Sequence, residues 1–370
     1  MNNNYKTFKF LFAILLLTGC TGYNDIVSDD VPFNEQLDSF DQFITTLDSE
    51  QEINASLLFA RDGEIIYQRA AGKVHPQIDG RLSVDSSFNL GSVSKQFTAM
   101  GIMLLEHQGK LEFDAEIKKY VPNFPYPEIT VRHLLHHTSG LDDYMLMAYE
   151  HWQEEKAFTN KDMLALFQKL TPDLLFTPGE KYTYSNTGYV FLSTIIEHIS
   201  QQSFENYMQE NIFNPLNMSN SGVVTLLSKP NSLPSRVYGQ EDGELMDLIY
   251  LNGVTGDASV YSSANDLLRW HKALLNYKLL PKEKQSQAFK PAKLNDGSLS
   301  YYGFGWALNK KKPEIEMTHS GAWGPFRATI ARNVNNNVAV IFLSSDNSGV
   351  DTQELLNRFL TLVRSYHKVL

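Results

Sequence analysis

Residues 89–100 read NLGSVSKQFTAM. Gly91 precedes Ser92, Lys95 follows three residues later, and KQFTAMGIMLLEHQGK then carries a helical period as far as Gly109. Residues three apart on a helix share a face, with Cβ atoms about 5–6 Å apart, so the spacing sets the lysine beside the serine. Two readings compete. Ser92 is a helix cap, one of the side chains that satisfy a free N–H at a helix start. Alternatively it is a nucleophile with its base at hand. A serine hydroxyl reacts poorly until a neighbour takes its proton, and a lysine whose pKa is lowered by burial or a second cation serves as that neighbour. A helix start also supplies partial positive charge and spare N–H groups for a developing oxyanion. Spacing alone does not choose, because a second Ser-x-x-Lys, Ser365 to Lys368, ends the last helix with no glycine before it and no helix start.

Two further segments supply company. FTPGEKYTYSNTGYVFLS (176–193) has a Pro-Gly turn, then Tyr184-Ser185-Asn186, then a helical run. A tyrosine acts as base or proton shuttle when a nearby cation lowers its pKa, and an asparagine offers both a donor and an acceptor to an amide or ester. Tyr184 also has the plainer reading of a buried aromatic with a satisfied hydroxyl. Tyr250 to Asn252 repeats the Tyr-x-Asn spacing without the turn-then-helix frame. MTHSGAWG (317–324) places His319-Ser320-Gly321 at the end of a strand, where a histidine on an edge holds substrate or tunes nearby bases. The glycine there lets substrate approach the backbone. His107-Gln108-Gly109 matches the same pattern but reads as a helix stop.

With Ser-x-x-Lys, Tyr-x-Asn and His-x-Gly in this order, the chain resembles the serine β-lactamase and penicillin-binding protein superfamily. The branch it resembles most is the class C β-lactamase-like group, with its esterases, D-aminopeptidases and DD-peptidases. ITVRHLLHHTSGLDDY (129–144), PLNMSNSGV (215–223) and YGFGWAL (302–308) support the match, which spans about residues 35–365. The resemblance implies an acylated Ser92, a base role shared by Lys95 and Tyr184, and contact of Asn186 with the substrate amide. It also implies a substrate-holding strand through His319 and Gly321, and an oxyanion hole from the N–H groups of Ser92 and Ala322. No cofactor is implied, and the partner is a small-molecule or peptide substrate.

One departure bears on the substrate. His319 stands where β-lactamases of this group carry a lysine that holds a substrate carboxylate, and an ordinary histidine is neutral for much of the time at pH 7. The expected activity is therefore hydrolysis of esters, D-amino-acid peptides or amides. A true β-lactamase or DD-carboxypeptidase is the alternative within the class, and an inactive binding or sensor protein on the same scaffold is the alternative outside it. An α/β-hydrolase needs Gly-x-Ser-x-Gly, which the chain lacks. His133, His136 and His137 include an i, i+4 pair of the kind that binds zinc. The helical Glu of His-Glu-x-x-His is missing, and the resemblance makes HHTSGL a structural turn near the cleft, so no metal is expected.

The rest of the chain sets the frame. A helical period places Phe33, Leu37, Phe40, Ile44 and Leu47 on one face, and ASLLFARDGEIIYQRAAG (55–72) reads as a hairpin about Asp62-Gly63. Helical patterns dominate from about 96 to 280, with NKDMLALFQKL capped by Asn160. Strands return in EIEMTH, FRATIAR and NVAVIFLSS. Asp351 and Glu354 form a capping-box pattern before a last helix bearing Leu355, Phe359, Leu362 and Tyr366. This predicts an α+β fold, with a central antiparallel sheet built from both chain ends, helices on its flanks and a mostly helical lobe (about 96–285) inserted in a single domain over 33–370. The 370 residues and 42% hydrophobic content suit that size, and a net charge of -10 without a basic stripe argues against nucleic acid. At the N-terminus Lys6 and Lys9 precede FLFAILLLTGC, too short an apolar run for the roughly 20 residues of a membrane span. Its layout is that of an export signal. LLTGC resembles a bacterial lipobox, implying cleavage after residue 19, a lipid on Cys20 (the sole cysteine), a tether over 20–32, and an exported lipoprotein on the periplasmic side, in the outer membrane.

Overall fold

The computed structural model describes residues 31–368 except 153, 155, 230–231, 242, 313–315 and 346–348. The leader and Cys20 lie outside the described residues.

Helix α1 (Phe33–Ser49) buries Phe40, Ile44 and Leu47 of the predicted stripe, with Phe33 and Leu37 half-buried beside them. Strands β1 (Ala55–Arg61) and β2 (Glu64–Ala71) follow, joined by Asp62 and Gly63 with φ of 52° and 86°. These left-handed values make the two-residue turn that matches the twist of a hairpin. The central region begins with β3 (Phe88–Asn89) and continues through α2 (Lys95–His107), α3 (Val131–Leu135), α4 (Tyr144–His151), α5 (Asn160–Leu170), α6 (Asn186–Ser200) and α7 (Phe204–Met208). Short strands β4 (Gly222–Val223), β5 (Gly239–Glu241), β6 (Glu244–Met246) and β7 (Val260–Ser262) come next, then α8 (Ala264–Leu275), α9 (Lys282–Gln285), β8 (Ala292–Lys293) and β9 (Leu299–Ser300). The chain closes with β10 (Ala307–Leu308), β11 (Glu316–Trp323), β12 (Phe326–Asn333), β13 (Val338–Ser344) and α10 (Thr352–Lys368).

The main sheet runs β10-β11-β12-β13-β1-β2 with antiparallel pairings. The β1–β13 pair, from Ala55 opposite Ser344 to Arg61 opposite Val338, is where the two chain ends become one sheet. Both strands are buried along almost their whole length because helices cover both faces. Leu57, Phe59, Val340 and Phe342 meet α1 and α10, where Phe40 stacks on Phe359 at 5.9 Å. Leu58, Ala60, Ile341 and Leu343 belong to the larger core, which includes α2, α6 and α8.

Three local expectations change. Helix α5 is capped by Thr159, which exchanges bonds with Asp162 in a capping box. Asn160 instead turns inward, accepting from Thr255 N at 2.8 Å and donating to Thr255 O. Before α10, Asp351 accepts from Gln353 N, but Glu354 reaches forward to Arg358. The region between the chain ends also contains a small sheet, β3-β7-β4, which pins the segment before Ser92.

Candidate active site

Ser92 lies in a tight 3-10 turn, Gly91–Ser94, and Lys95 is the first residue of α2. The turn replaces the cap reading: the Ser92 side chain caps no helix, and its Oγ lies 3.0 Å from Lys95 Nζ. Gly91 takes a left-handed φ of 49°, and a Cβ there would come within 2.6 Å of Ala322 N. Gly321 meets the same turn, where a Cβ would overlap Leu90 O. These close approaches bring the backbone of β11 against the serine turn, with the N–H groups of Ser92 and Ala322 on neighbouring backbones. In YGFGWAL, Gly305 has a φ of 76° and a Cβ there would press on Lys95 O and Gln96 N at 2.8 Å.

Lys95 is fully buried. Its Nζ donates to Asn186 Oδ1 at 2.8 Å and to the carbonyl of Asp257 at 2.9 Å, besides its contact with Ser92. A neutral amine has two N–H bonds and one lone pair. Two of the three partners are carbonyl oxygens that only accept, so they take the two N–H bonds. The third direction points to Ser92 Oγ: a protonated Lys95 donates there, and a neutral Lys95 presents its lone pair there. Burial lowers the Lys95 pKa to about 8, against the opposing pull of Asp257 and Asp143. A usable fraction of neutral amine is therefore present near pH 7–8.

Tyr184 borders this group differently from the expected base. Its ring lies over Lys95, with Nζ 4.9 Å from the centroid, and packs against His137, with centroids 4.2 Å apart and planes tilted by 36°. Its hydroxyl is buried and makes no hydrogen bond among the described residues. Burial pushes the phenol well above its ordinary range, with the nearby Ser92 hydroxyl working the other way. Tyr184 is thus a neutral phenol beside the nucleophile.

His319 lies within β11 and not at its end, because Gly321–Trp323 continue the ladder with Phe326–Ala328. Among the described residues β10 pairs only with Met317 and Thr318, so β11 is an edge there from His319 onward, as expected. The His319 Nδ1 partner is the Ser320 carbonyl at 2.7 Å, which fixes Nδ1 as the donor. Nε2 then accepts from the Tyr302 hydroxyl at 2.8 Å. Burial, reinforced by Lys95, lowers its pKa to about 3, so the position carries no charge at neutral pH.

Several residues of the site carried no sequence signal. Asp257 is buried with a pKa raised by burial to about 6, and its carboxylate accepts from Tyr144. Asp143 accepts from Asn186 Nδ2 at 3.1 Å and caps α4 through Met145 N. Both are reached through the fold from distant segments, and only the Asp142-Asp143 doublet within the quoted HHTSGLDDY hinted at one of them. Among the three clustered histidines, His133 closes the α3 capping box, His136 Nδ1 binds the Tyr302 carbonyl at 2.7 Å, and His137 Nδ1 accepts from Ser185 N. Each has its own structural partner, and His137 braces the Tyr184 loop. The second Ser-x-x-Lys lies apart from the site: Ser365 is buried and donates back to Leu362 O within α10.

A beta-lactamase family model matches residues 40–364. The chain is 33% identical over 325 residues to penicillin-binding protein 4* of Bacillus subtilis (strain 168), covering 84% of this chain and 72% of that one. It is 27% identical over 278 residues to a D-aminopeptidase of Gluconobacter oxydans (strain 621H), covering 73% of this chain but only 52% of that protein. Among solved structures, the octameric penicillin-binding protein homologue from Pyrococcus abyssi superposes with a TM-score of 0.72 at 24% identity, covering 89% of this chain and 77% of that one. The D-amino acid amidase from Ochrobactrum anthropi SV3 gives 0.72 at 21%, covering 90% and 99%. At those identities the two structures speak for the fold, while the family match spans nearly the whole described chain. The chain therefore belongs to the beta-lactamase family of serine hydrolases.

Proposed function

We propose that this protein hydrolyses esters, and amides or peptides of D-amino acids, through a covalent acyl-enzyme on Ser92. The observation that carries this reading is the saturation of Lys95 by two carbonyl acceptors, which leaves its lone pair for the Ser92 proton. In this scheme neutral Lys95 takes the proton as Oγ attacks the substrate carbonyl carbon. The resulting oxyanion sits between the N–H groups of Ser92 and Ala322. The leaving alcohol or amine departs with a proton passed from Lys95 by way of the Tyr184 hydroxyl; water then gives a proton to neutral Lys95 as it attacks the acyl carbon, and Lys95 returns that proton to Ser92 Oγ as the acid product leaves. Asn186, with one Nδ2 hydrogen uncommitted among the described residues, and the open edge of β11 hold the substrate.

The neutral state of His319 supports this substrate class over β-lactams and peptides bound by their carboxylate. Losing a charge-assisted bond typically removes about 1.5–3 kcal/mol, roughly 10- to 100-fold in binding or rate. Relatives named for D-aminopeptidase and D-amino acid amidase activity point the same way.

The test uses a fluorophosphonate and a fluorescent penicillin, with the adduct mapped by mass spectrometry. The fluorophosphonate is expected on Ser92, p-nitrophenyl acetate and butyrate are expected to turn over readily, and the penicillin is expected to react slowly. Absence of label on Ser92 would leave a binding protein on a hydrolase scaffold. Cephalosporin hydrolysis with kcat/KM near about 10⁶ M⁻¹s⁻¹ would make the protein a β-lactamase.

A further inference from the structure

We infer that Asp143 is a positioning residue that locks the Asn186 amide with its oxygen toward Lys95, and thereby reserves the lysine lone pair for Ser92. The inference rests on the acyl-enzyme reading above and concerns how the base is kept available.

An asparagine side chain is nearly symmetric in shape, and rotating it by half a turn exchanges donor for acceptor. In the observed orientation Oδ1 accepts from Lys95 Nζ at 2.8 Å and Nδ2 donates to Asp143 Oδ2 at 3.1 Å. In the flipped orientation an N–H would face Lys95. That N–H would donate to the amine lone pair and compete with the Ser92 hydroxyl for it. The base would be occupied, although every residue of the site remained in place. Asn186 is buried, with only 3% of its surface exposed, so water offers little to correct a wrong orientation.

Asp143 decides between the two states because an ionised carboxylate only accepts. Its Oδ1 is occupied by Met145 N at 2.8 Å, so Oδ2 is the oxygen presented to the amide. With the flipped amide, two oxygens would face each other, one of them charged. Burial raises the Asp143 pKa, while Met145 N, Asn186 and Lys95 oppose the rise. The other groups around Lys95 leave this task to Asp143. Asp257 approaches the amine with its backbone carbonyl and gives its carboxylate to Tyr144. His137 and His319 are held neutral by burial, and Tyr184 and Tyr189 offer ring faces.

Asp143→Asn is the discriminating variant. Asn ranks with Asp as a helix N-cap, so α4 keeps its cap through Met145 N. With its single oxygen held by Met145 N, the new side chain presents its NH2 to Asn186, and so favours the flipped amide. The Asp143 charge also raises the Lys95 pKa, so its loss should move the acid limb of the kcat/KM profile to lower pH. The plateau should fall by about 10- to 100-fold, the scale of a mispositioned catalytic group, with unfolding temperature little changed. Asp143→Glu, which restores an obligate acceptor, should recover part of the plateau. An unchanged plateau or an unmoved acid limb in Asp143→Asn overturns the inference, as does a Glu variant no better than Asn. Fluorophosphonate labelling of the unsubstituted protein keeps the two questions apart. Failure to label Ser92 there removes the acyl-enzyme reading itself, whereas normal labelling with an indifferent Asp143→Asn removes only the role of Asp143.

Discussion

At the scale of single residues, the site is a problem of where protons reside. Removing one hydroxyl with Ser92→Ala should abolish turnover of p-nitrophenyl butyrate while leaving the circular dichroism spectrum intact. Residual turnover near the original level would show another nucleophile. Lys95→Ala should lower kcat by about 10²–10⁴, the usual scale of general acid–base work. Tyr184→Phe tests a narrower point. If the phenol passes the leaving-group proton, amide turnover should fall more than turnover of nitrophenyl esters, whose leaving group needs no proton. Equal and small losses on both would reduce Tyr184 to packing against His137 and Lys95. The pH profile follows from the lowered pKa of Lys95, about 8. The neutral amine is the active form, so kcat/KM should rise through about pH 8 and level off above it. His319, lowered to about 3, should contribute no inflection between pH 5 and 8. A falling limb in that interval would contradict the assigned protonation states.

At the scale of elements, the decisive contact is strand β11 against the turn that carries Ser92. Gly321 allows it, because a Cβ there would overlap the backbone oxygen of Leu90. Neither backbone can yield without moving the other, so Gly321→Ala should cost about 1–3 kcal/mol, as overpacking does. It should also depress kcat by displacing Ala322 N from Ser92. Urea denaturation and steady-state kinetics on one preparation measure both effects, and an Ala variant with wild-type values in each would refute the close approach. The far side of the sheet gives the contrasting case. Phe359 on α10 is fully buried against Phe40 and the β1–β13 strands. Phe359→Ala should cost about 3–5 kcal/mol yet leave kcat/KM unchanged at temperatures where the variant is folded. A selective loss of activity there would mean that the sheet transmits strain to the site.

At the scale of the whole molecule, we propose that the domain is held at a membrane by lipid on Cys20. About twelve residues of tether reach roughly 40 Å when extended. Cys20→Ser should move the protein from the membrane to the soluble fraction, and continued membrane association of that variant would end the proposal. Much of this architecture was legible in the chain itself, because some signals are local. Asp62-Gly63 dictates a hairpin through backbone sterics, and the period of Phe40, Ile44 and Leu47 dictates a buried helix face. Ser92 and Lys95 meet because three residues of tight helical backbone bring them together. The Tyr-x-Asn and His-x-Gly segments were legible as motifs, but their distances from Ser92 were not, since 91 residues separate Lys95 from Asn186 and only packing closes that gap. Protonation states were beyond sequence for the same reason. The amine of Lys95 is lowered, and His319 is discharged, by burial among groups drawn from distant segments. The sequence determined which chemical groups are present and which neighbours share a turn. The tertiary structure decided which lone pair faces Ser92, because desolvation and hydrogen-bond saturation depend on everything that surrounds an atom in space.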